Sequence, residues 1–207
     1  TKLYDMWEAG DYSPYLEEDA VPLLSKMKAM VPEYVRIQRI QRDIPVTEIS
    51  AGIHKSNIRQ LVGDYMQKNG MECRCIRCRE VGHRGTVLSD SDRVVLKDTV
   101  YEASGGTEHF IALEYDDSLI GYVRLRLDSN PVATIRELKV FGKVASIGDE
   151  GEDWQHRGYG RKLVSEAERI ATEAGRKGIR VTSGVGVRGY YRSLGFTEGL
   201  PYMVKDL

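Results

Sequence analysis

One stretch of the sequence combines two glycines with a run of cations at the start of a helical pattern: Trp154-Gln155-His156-Arg157-Gly158-Tyr159-Gly160-Arg161-Lys162-Leu163. The first amides of a helix have no acceptor within the helix, so they can converge on a single anion. Gly158 and Gly160 carry no β-carbon to hold a pyrophosphate away from that backbone, and Arg157, Arg161 and Lys162 add positive charge. The chemistry these residues suit is the cradling of a phosphorylated ligand.

A second group is metal-like. All three cysteines fall in Cys73-Arg74-Cys75-Ile76-Arg77-Cys78, and C-x-C-x-x-C brings three thiolates within reach of one tetrahedral metal, zinc being the natural occupant. Arg74, Arg77 and Arg79 are expected to lower the thiol pKa values and favour thiolates. His54 and His83 are both open as the fourth ligand, with three reduced thiols in an apolar knuckle as the bland alternative. A third group is electrostatic. Net charge is only -1, yet by segment it is -4 over residues 1–35, +4 over 36–93, -4 over 94–150 and +3 over 151–207. Arg36, Arg39, Arg42, Lys55, Arg59, Arg74, Arg77, Arg79 and Arg84 make the basic segment a candidate polyanion-binding surface.

The elements that must position these groups follow from periodicity. Residues 3–10 read as a short helix or turn, and 17–30 as an amphipathic helix with Ala20, Leu23, Leu24 and Met27 inward. Val35 to Ile40 alternate as a strand that Pro45 stops, and 56–68 form a helix with Ile58, Leu61, Val62, Tyr65 and Met66 on one side. Strands are expected over 94–101, 108–115 and 119–127, joined by turns at Ser104-Gly105-Gly106-Thr107 and Asp116-Asp117-Ser118. A strand at 134–141 precedes a long acidic connection, 142–153, expected to be a mobile loop over the site. A helix then repeats apolar residues at Leu163, Ala167, Ile170, Ala171 and Ala174 and stops at Gly175. Strand 179–182, a short helix carrying Tyr190 and Tyr191 up to Gly195-Phe196, and a closing strand 202–205 complete the order.

The glycine loop and the Tyr190-Tyr191-Arg192-Ser193-Leu194-Gly195-Phe196 helix resemble the GNAT acetyltransferases. With Arg136-Glu137-Leu138-Lys139-Val140-Phe141-Gly142, Ser183-Gly184-Val185-Gly186-Val187-Arg188 and Pro201-Tyr202-Met203-Val204-Lys205, the likeness narrows to the catalytic subunit of Elongator and covers essentially the whole chain. The resemblance implies an α/β (α+β) GNAT acyltransferase fold over 93–207, a basic zinc-binding linker over 49–92, and over 1–48 the tail of a radical-SAM barrel, whose three-cysteine cluster motif is absent from this sequence. It implies acetyl-CoA as cofactor, the backbone of Glu137, Leu138, Lys139 and Val140 pairing with the pantetheine chain, and Gln155, Arg157, Gly158, Tyr159, Gly160 and Arg161 receiving the pyrophosphate. Adjacent tyrosines point about 100° apart on a helix, so one should pack inward and the other reach the thioester sulfur as proton donor; Tyr191 is favoured at the sulfur and as a cofactor contact, which leaves Tyr190 to pack inward. Glu137 is a candidate general base, with an ordinary ion pair as the rival reading, while His109 and His156 read as structural.

The implied activity is acetyl transfer or tRNA-triggered acetyl-CoA hydrolysis in wobble-uridine modification of a carboxymethyl type, with a 4Fe-4S cluster and S-adenosylmethionine in the full-length protein only. The partners expected are tRNA and other Elongator subunits, with neither membrane nor DNA; a cytoplasmic protein is the simplest reading, since no apolar run approaches a bilayer's width. The opening at Thr1 suggests a fragment. Two other functions fit the same residues: a free-standing lysine or small-molecule N-acetyltransferase, and a non-catalytic zinc and tRNA-binding module.

Overall fold

Capping and apolar spacing make the first part of the chain helical. The computed structural model describes residues 1–42, 44–87, 93–142 and 158–207. Helix α1 spans Lys2–Glu8, its Tyr4 amide donating to the Thr1 hydroxyl. Helix α2 spans Glu17–Ala29, with three acids in its first turn and Lys26 and Lys28 in its last, the arrangement the helix dipole favours. Helix α3 is Ile58–Lys68, followed by the short α4 (Ile76–Arg79) and α5 (Val81–Arg84). The chain divides into two units, Thr1–Cys78 and Arg79–Leu207.

The first unit is built around Val21, Ile58, Val62, Met66, Cys73 and Cys75, with Leu24, Ile37, Ile40, Leu61 and Tyr65 against them. Segments 1–48 and 49–78 therefore share one core. The inward face of α2 differs from expectation: Ala20, Val21, Ser25 and Lys28 are buried, whereas Leu23 and Met27 are exposed. Two polar residues are tolerated inside because each has a partner. Ser25 Oγ donates to the Val21 and Val62 carbonyls at 2.7 and 3.4 Å, and Lys28 Nζ lies 4.0 Å from Cys78 Sγ. Residues 35–40 are not a strand. Their carbonyls are taken one at a time, Val35 by the Ile76 amide at 2.9 Å, Ile37 and Gln38 by Arg59 Nη2 at 3.2 and 2.9 Å; alternation alone does not make a ladder without a neighbouring strand.

In the second unit the turn residues set the sheet. Strands β1 (Val95–Ala103) and β2 (Gly106–Tyr115) meet through Ser104 and Gly105, and β2 meets β3 (Ser118–Leu127) through Asp116 and Asp117. All four turn residues have positive φ, 51, 71, 46 and 61°, which matches the twist of a two-residue hairpin. Strand β4 (Val132–Val140) adds antiparallel to β3, then α6 (Tyr159–Glu173) crosses over to β5 (Gly178–Val181), which lies parallel to β4. Helix α7 (Arg188–Ser193), β6 (Thr197–Gly199) and β7 (Tyr202–Asp206) finish the chain, giving the order β1-β2-β3-β4-β5-β7-β6. The α/β fold is as expected, and three-residue β6 is an addition to it. Helix α6 buries Tyr159, Leu163, Val164, Ala167, Ile170 and Ala171, each large aliphatic contributing about 1.5–3 kcal/mol; Ala174 is an exposed cap rather than part of that face.

Candidate functional site

Strand β4 is paired on both sides only as far as Ile135, which faces Val181 of β5. Glu137 to Val140 keep their β3 neighbours but have no strand on the β5 side among the described residues. A bulge lies at the point of divergence: Arg124 faces Glu137 and Leu125 faces Ile135, so Arg136 is the extra residue. The opened edge offers unpaired N–H and C=O groups to an extended ligand. At the end of that edge Val140 approaches the first turn of α6: a Cβ on Gly160 would lie 3.8 Å from Val140 Cγ2 and 2.5 Å from the Tyr190 hydroxyl.

The α6 N-terminus is capped by Gly158 at φ 74°, with no side-chain cap and open space around it. The Tyr159, Gly160 and Arg161 amides therefore lack intrahelical acceptors. Two buried hydroxyl oxygens have no partner among the described residues, Tyr159 Oη at the first residue of α6 and Ser183 Oγ just after β5. An opened strand edge and a bare helix start carrying the orphaned Tyr159 hydroxyl fit an extended cofactor with a phosphate arm. Gln155, His156 and Arg157 lie outside the described residues, as does most of the acidic loop.

The two tyrosines diverge as expected. Tyr191 is 5% exposed and stands edge-on to Phe196 at 5.6 Å; Tyr190 is 39% exposed and turns its hydroxyl toward Gly160. Burial, with the neighbouring Tyr190 adding to it, pushes the Tyr191 phenol up to about 12, so it remains a proton-bearing group throughout the neutral range. Burial raises Tyr190 as well, opposed by the Arg161 charge. Tyr191 is thus the inward residue of the pair and Tyr190 the exposed one, the reverse of the expectation, because it is the Tyr191 ring that packs edge-on against Phe196. Glu137 has both oxygens engaged, Oε1 by the Tyr122 hydroxyl at 2.7 Å and Oε2 by Arg124 Nε at 3.1 Å. Lys139 Nζ sits 5.3 Å from the Phe141 ring centre.

In the first unit the sulfurs of Cys73, Cys75 and Cys78 all lie within 4.8 Å of one another, with no fourth His, Cys, Asp or Glu in the group among the described residues. Hydrogen bonds from Cys73 and Cys78 push the Cys75 thiol down, while the same network and burial push Cys73 up. Lys28, beside Cys78, is a cation acting on the cluster that the sequence did not single out. Arg74 pairs with Glu33 at 3.5 Å, and Arg79 is fully buried against Glu114 at 2.5 Å. His54 lines a cleft between α2 and α3, and His83 lies 3.5 Å from Glu80. Three sulfurs at this spacing fit three corners of a tetrahedral zinc site.

The basic set is dispersed in its engagements. Arg79, with no exposed surface, is removed from any RNA-facing role. Lys55 pairs with Glu17 at 2.8 Å, Arg84 with Asp117 at 2.9 Å, and Arg59 holds two carbonyls. Arg39 and Arg42 are exposed, and Arg36 and Arg77 half-buried.

The model of the acetyltransferase (GNAT) family matches residues 80–196. The chain belongs to the GNAT acetyltransferase family. Ahead of this GNAT region, residues 1–68 match the radical-SAM C-terminal domain. Over its full length the chain is 48% identical to a tRNA uridine(34) acetyltransferase of Methanocaldococcus infernus, covering 42% of that relative, and 41% identical to Elongator complex protein 3 of Schizosaccharomyces pombe, covering 41% of it. It also superposes on the structure of archaeal Methanocaldococcus infernus Elp3 with an N-terminal deletion, at TM-score 0.91 and 47% identity, over all of this chain and 52% of that one. The chain thus spans roughly two-fifths of the length of these curated relatives. No helix among the described residues is long and apolar enough to cross a membrane.

Proposed function

We propose that this GNAT chain binds acetyl-CoA and is the acyl-handling part of an enzyme that modifies the wobble uridine of tRNA. The observation carrying this reading is the convergence of the opened β4 edge, the bare start of α6 and Tyr190 around Gly160. Bound acetyl-CoA supplies an activated acetyl group. The backbone of Glu137, Leu138, Lys139 and Val140 orients the extended arm by completing the strand edge, and Gly158, Tyr159, Gly160 and Arg161, with Gln155 and Arg157, receive the phosphates. Tyr190 reaches the phosphate end of this groove, so the proton donor at the thioester end is assigned to Tyr191, which carries its proton at neutral pH and whose burial makes it a weaker acid than an exposed phenol. Glu137 acts as a base only when Arg124 and Tyr122 release it.

Around this centre, the segment before the GNAT region continues a radical-SAM domain, past the boundary at 48 expected from the sequence and through α3, since 1–48 and 49–78 share one core; Cys73, Cys75 and Cys78 at its end hold zinc, and 93–207 form the acyltransferase. In the full-length protein the radical-SAM part adds a 4Fe-4S cluster and S-adenosylmethionine, with tRNA and further Elongator subunits as partners in the cytoplasm. The test is calorimetric titration with acetyl-CoA and a non-hydrolysable analogue, with and without tRNA. Binding, with thioester loss only when tRNA is present, is expected. Acetyl transfer to free amines would replace the reading with an N-acetyltransferase, and absence of binding would leave a zinc and tRNA-binding module.

A further inference from the structure

Where β4 and β5 part, the sheet carries a cleft of about 430 Å³ lined by Thr134, Arg136, Arg180, Thr182, Tyr202 and Ser104, with Arg126 and Asp128 at its wall. By register, Thr134 shares a face with Arg124, Arg126 and Glu137, and the bulge at Arg136 delivers that extra residue's side chain to Glu108 on the same face.

The arginines in the cleft are not equivalent. Arg126 is fixed at each of its three nitrogens: Nε to Asp128 at 3.2 Å, Nη1 to Glu108 and the Ala103 carbonyl at 2.9 and 2.8 Å, Nη2 to the Ser104 carbonyl at 2.8 Å. Arg136 spends one nitrogen, Nη1, on Glu108 at 2.7 Å, and Arg180 spends one, Nε, on Thr134 Oγ1 at 3.0 Å while its guanidinium lies 4.7 Å from the Tyr202 ring centre. The remaining guanidinium donors of Arg136 and Arg180 make no bond to a described residue, and the Thr182 hydroxyl stands with them. Glu108, 1% exposed, already serves two guanidiniums, and Asp128 is taken by Arg126 and the Asn130 amide. Three guanidiniums against two carboxylates leave a positive excess, and it resides on the two arginines whose forks are open.

We propose that this cleft is a phosphate-ester site, and, resting on the tRNA-modifying reading above, that the ester is a backbone phosphate of the substrate RNA. Guanidinium forks match phosphate oxygens in pairs. The Arg180–Tyr202 stack fixes one fork in a plane on which an unpaired base can also lie. The bulge places this site at the opening of the same strand edge that takes the acyl arm.

The test is a salt series of anisotropy titrations with a fluorescein-labelled tRNA anticodon stem-loop, alongside phosphorus NMR titration with inorganic phosphate, on the wild-type chain and on Arg180→Gln, Arg180→Lys and Arg136→Gln. Arg136 is half exposed, so that variant folds even if loss of Arg180 disturbs the sheet. Each Gln variant is expected to weaken stem-loop binding roughly tenfold and to lower the slope of log affinity against log salt by about 1, with Arg180→Lys keeping the slope. Loss of inorganic phosphate binding with RNA binding unchanged would assign the site to a small phosphate ester and overturn the RNA source. Unchanged binding of both overturns the site. Acetyl-CoA affinity is read separately in the same variants and is expected to stay at the wild-type value. Failure of acetyl-CoA to bind even the wild type would sink the acyltransferase reading without touching the phosphate result.

Discussion

Gly160→Ala probes the cradle with a single methyl group. The added Cβ would stand 2.5 Å from the Tyr190 hydroxyl and 3.8 Å from Val140 Cγ2. A carbon–oxygen contact relaxes to about 3.3 Å or more, so the hydroxyl must retreat by roughly 0.8 Å. It can do so at little expense, because it is the far end of a side chain that is 39% exposed. Replacing a helical glycine by alanine returns about 0.5–1 kcal/mol, so thermal unfolding should move by no more than a few degrees. Ligand binding should respond differently. If the α6 amides take a phosphate, the methyl holds the anion off the backbone and removes about one charge-assisted hydrogen bond, 1.5–3 kcal/mol in rough terms, or roughly 10- to 150-fold in Kd for acetyl-CoA. Calorimetry on the variant, with circular-dichroism melts as the control, measures both. The double variant Gly160→Ala with Tyr190→Phe completes the cycle by removing the hydroxyl the methyl meets. Recovery of affinity in the double variant would assign the loss to tyrosine displacement, and a Gly160→Ala chain that binds acetyl-CoA within twofold of wild type would refute the cradle itself.

Tyr191→Phe is expected to slow thioester loss by about 10²- to 10⁴-fold with unchanged acetyl-CoA affinity, more than Tyr190→Phe does, in single-turnover assays with the tRNA-activated full-length enzyme. The same group gives a stability signature. Its folded pKa, raised to about 12 from 10 by burial, means that its contribution is complete below pH 10 and is lost as pH rises to 12, so the wild type should show an alkaline fall in unfolding free energy that Tyr191→Phe lacks. Purified chain should carry one zinc by elemental analysis, with Cys75→Ser abolishing it and a chelator lowering the first unit's melting transition alone. Arg79→Ala, which leaves Glu114 without its buried partner, should cost about 3–5 kcal/mol in denaturant unfolding, whereas exposed Arg42→Ala should flatten the salt dependence of tRNA binding by about 1 in slope.

Much of the fold could be read from turn chemistry and period. Ser104-Gly105 and Asp116-Asp117 announced both hairpins because residues tolerant of positive φ sat between alternating runs. The α6 face stood out because its apolar residues are close to purely aliphatic. The same rule misplaced α2, where Ser25 and Lys28 are interior: a hydroxyl that bonds its own helix and an amine beside a thiol count as polar in a pattern but as satisfied in a core. Residues 35–40 show the complementary error, since a strand is a property of two segments and their partners turned out to be a guanidinium and one amide.

The candidate site divides along the same line. Positions recognised by local chain chemistry are brought together by the fold: Gly158 and Gly160 stand at the start of α6, and the three cysteines gather their sulfurs. Roles that depend on distant strands were not legible. The alternation of Arg74, Arg77 and Arg79 with cysteines looks like one electrostatic device, yet Arg79 pairs with Glu114, thirty-five residues on, and the thiols act strongly on one another, with Lys28 beside Cys78. Arg136, read as part of a strand motif, is the bulged residue, and the bulge is visible only once β3 is laid beside β4. That single extra residue lets consecutive arginine and glutamate side chains both bond on one face, Arg136 to Glu108 and Glu137 to Arg124 and Tyr122. It therefore links the opened edge that suits an acyl arm to the arginine cleft beside it, so deleting Arg136 to restore a regular ladder should impair acetyl-CoA and RNA binding together, where Arg136→Gln impairs RNA binding alone.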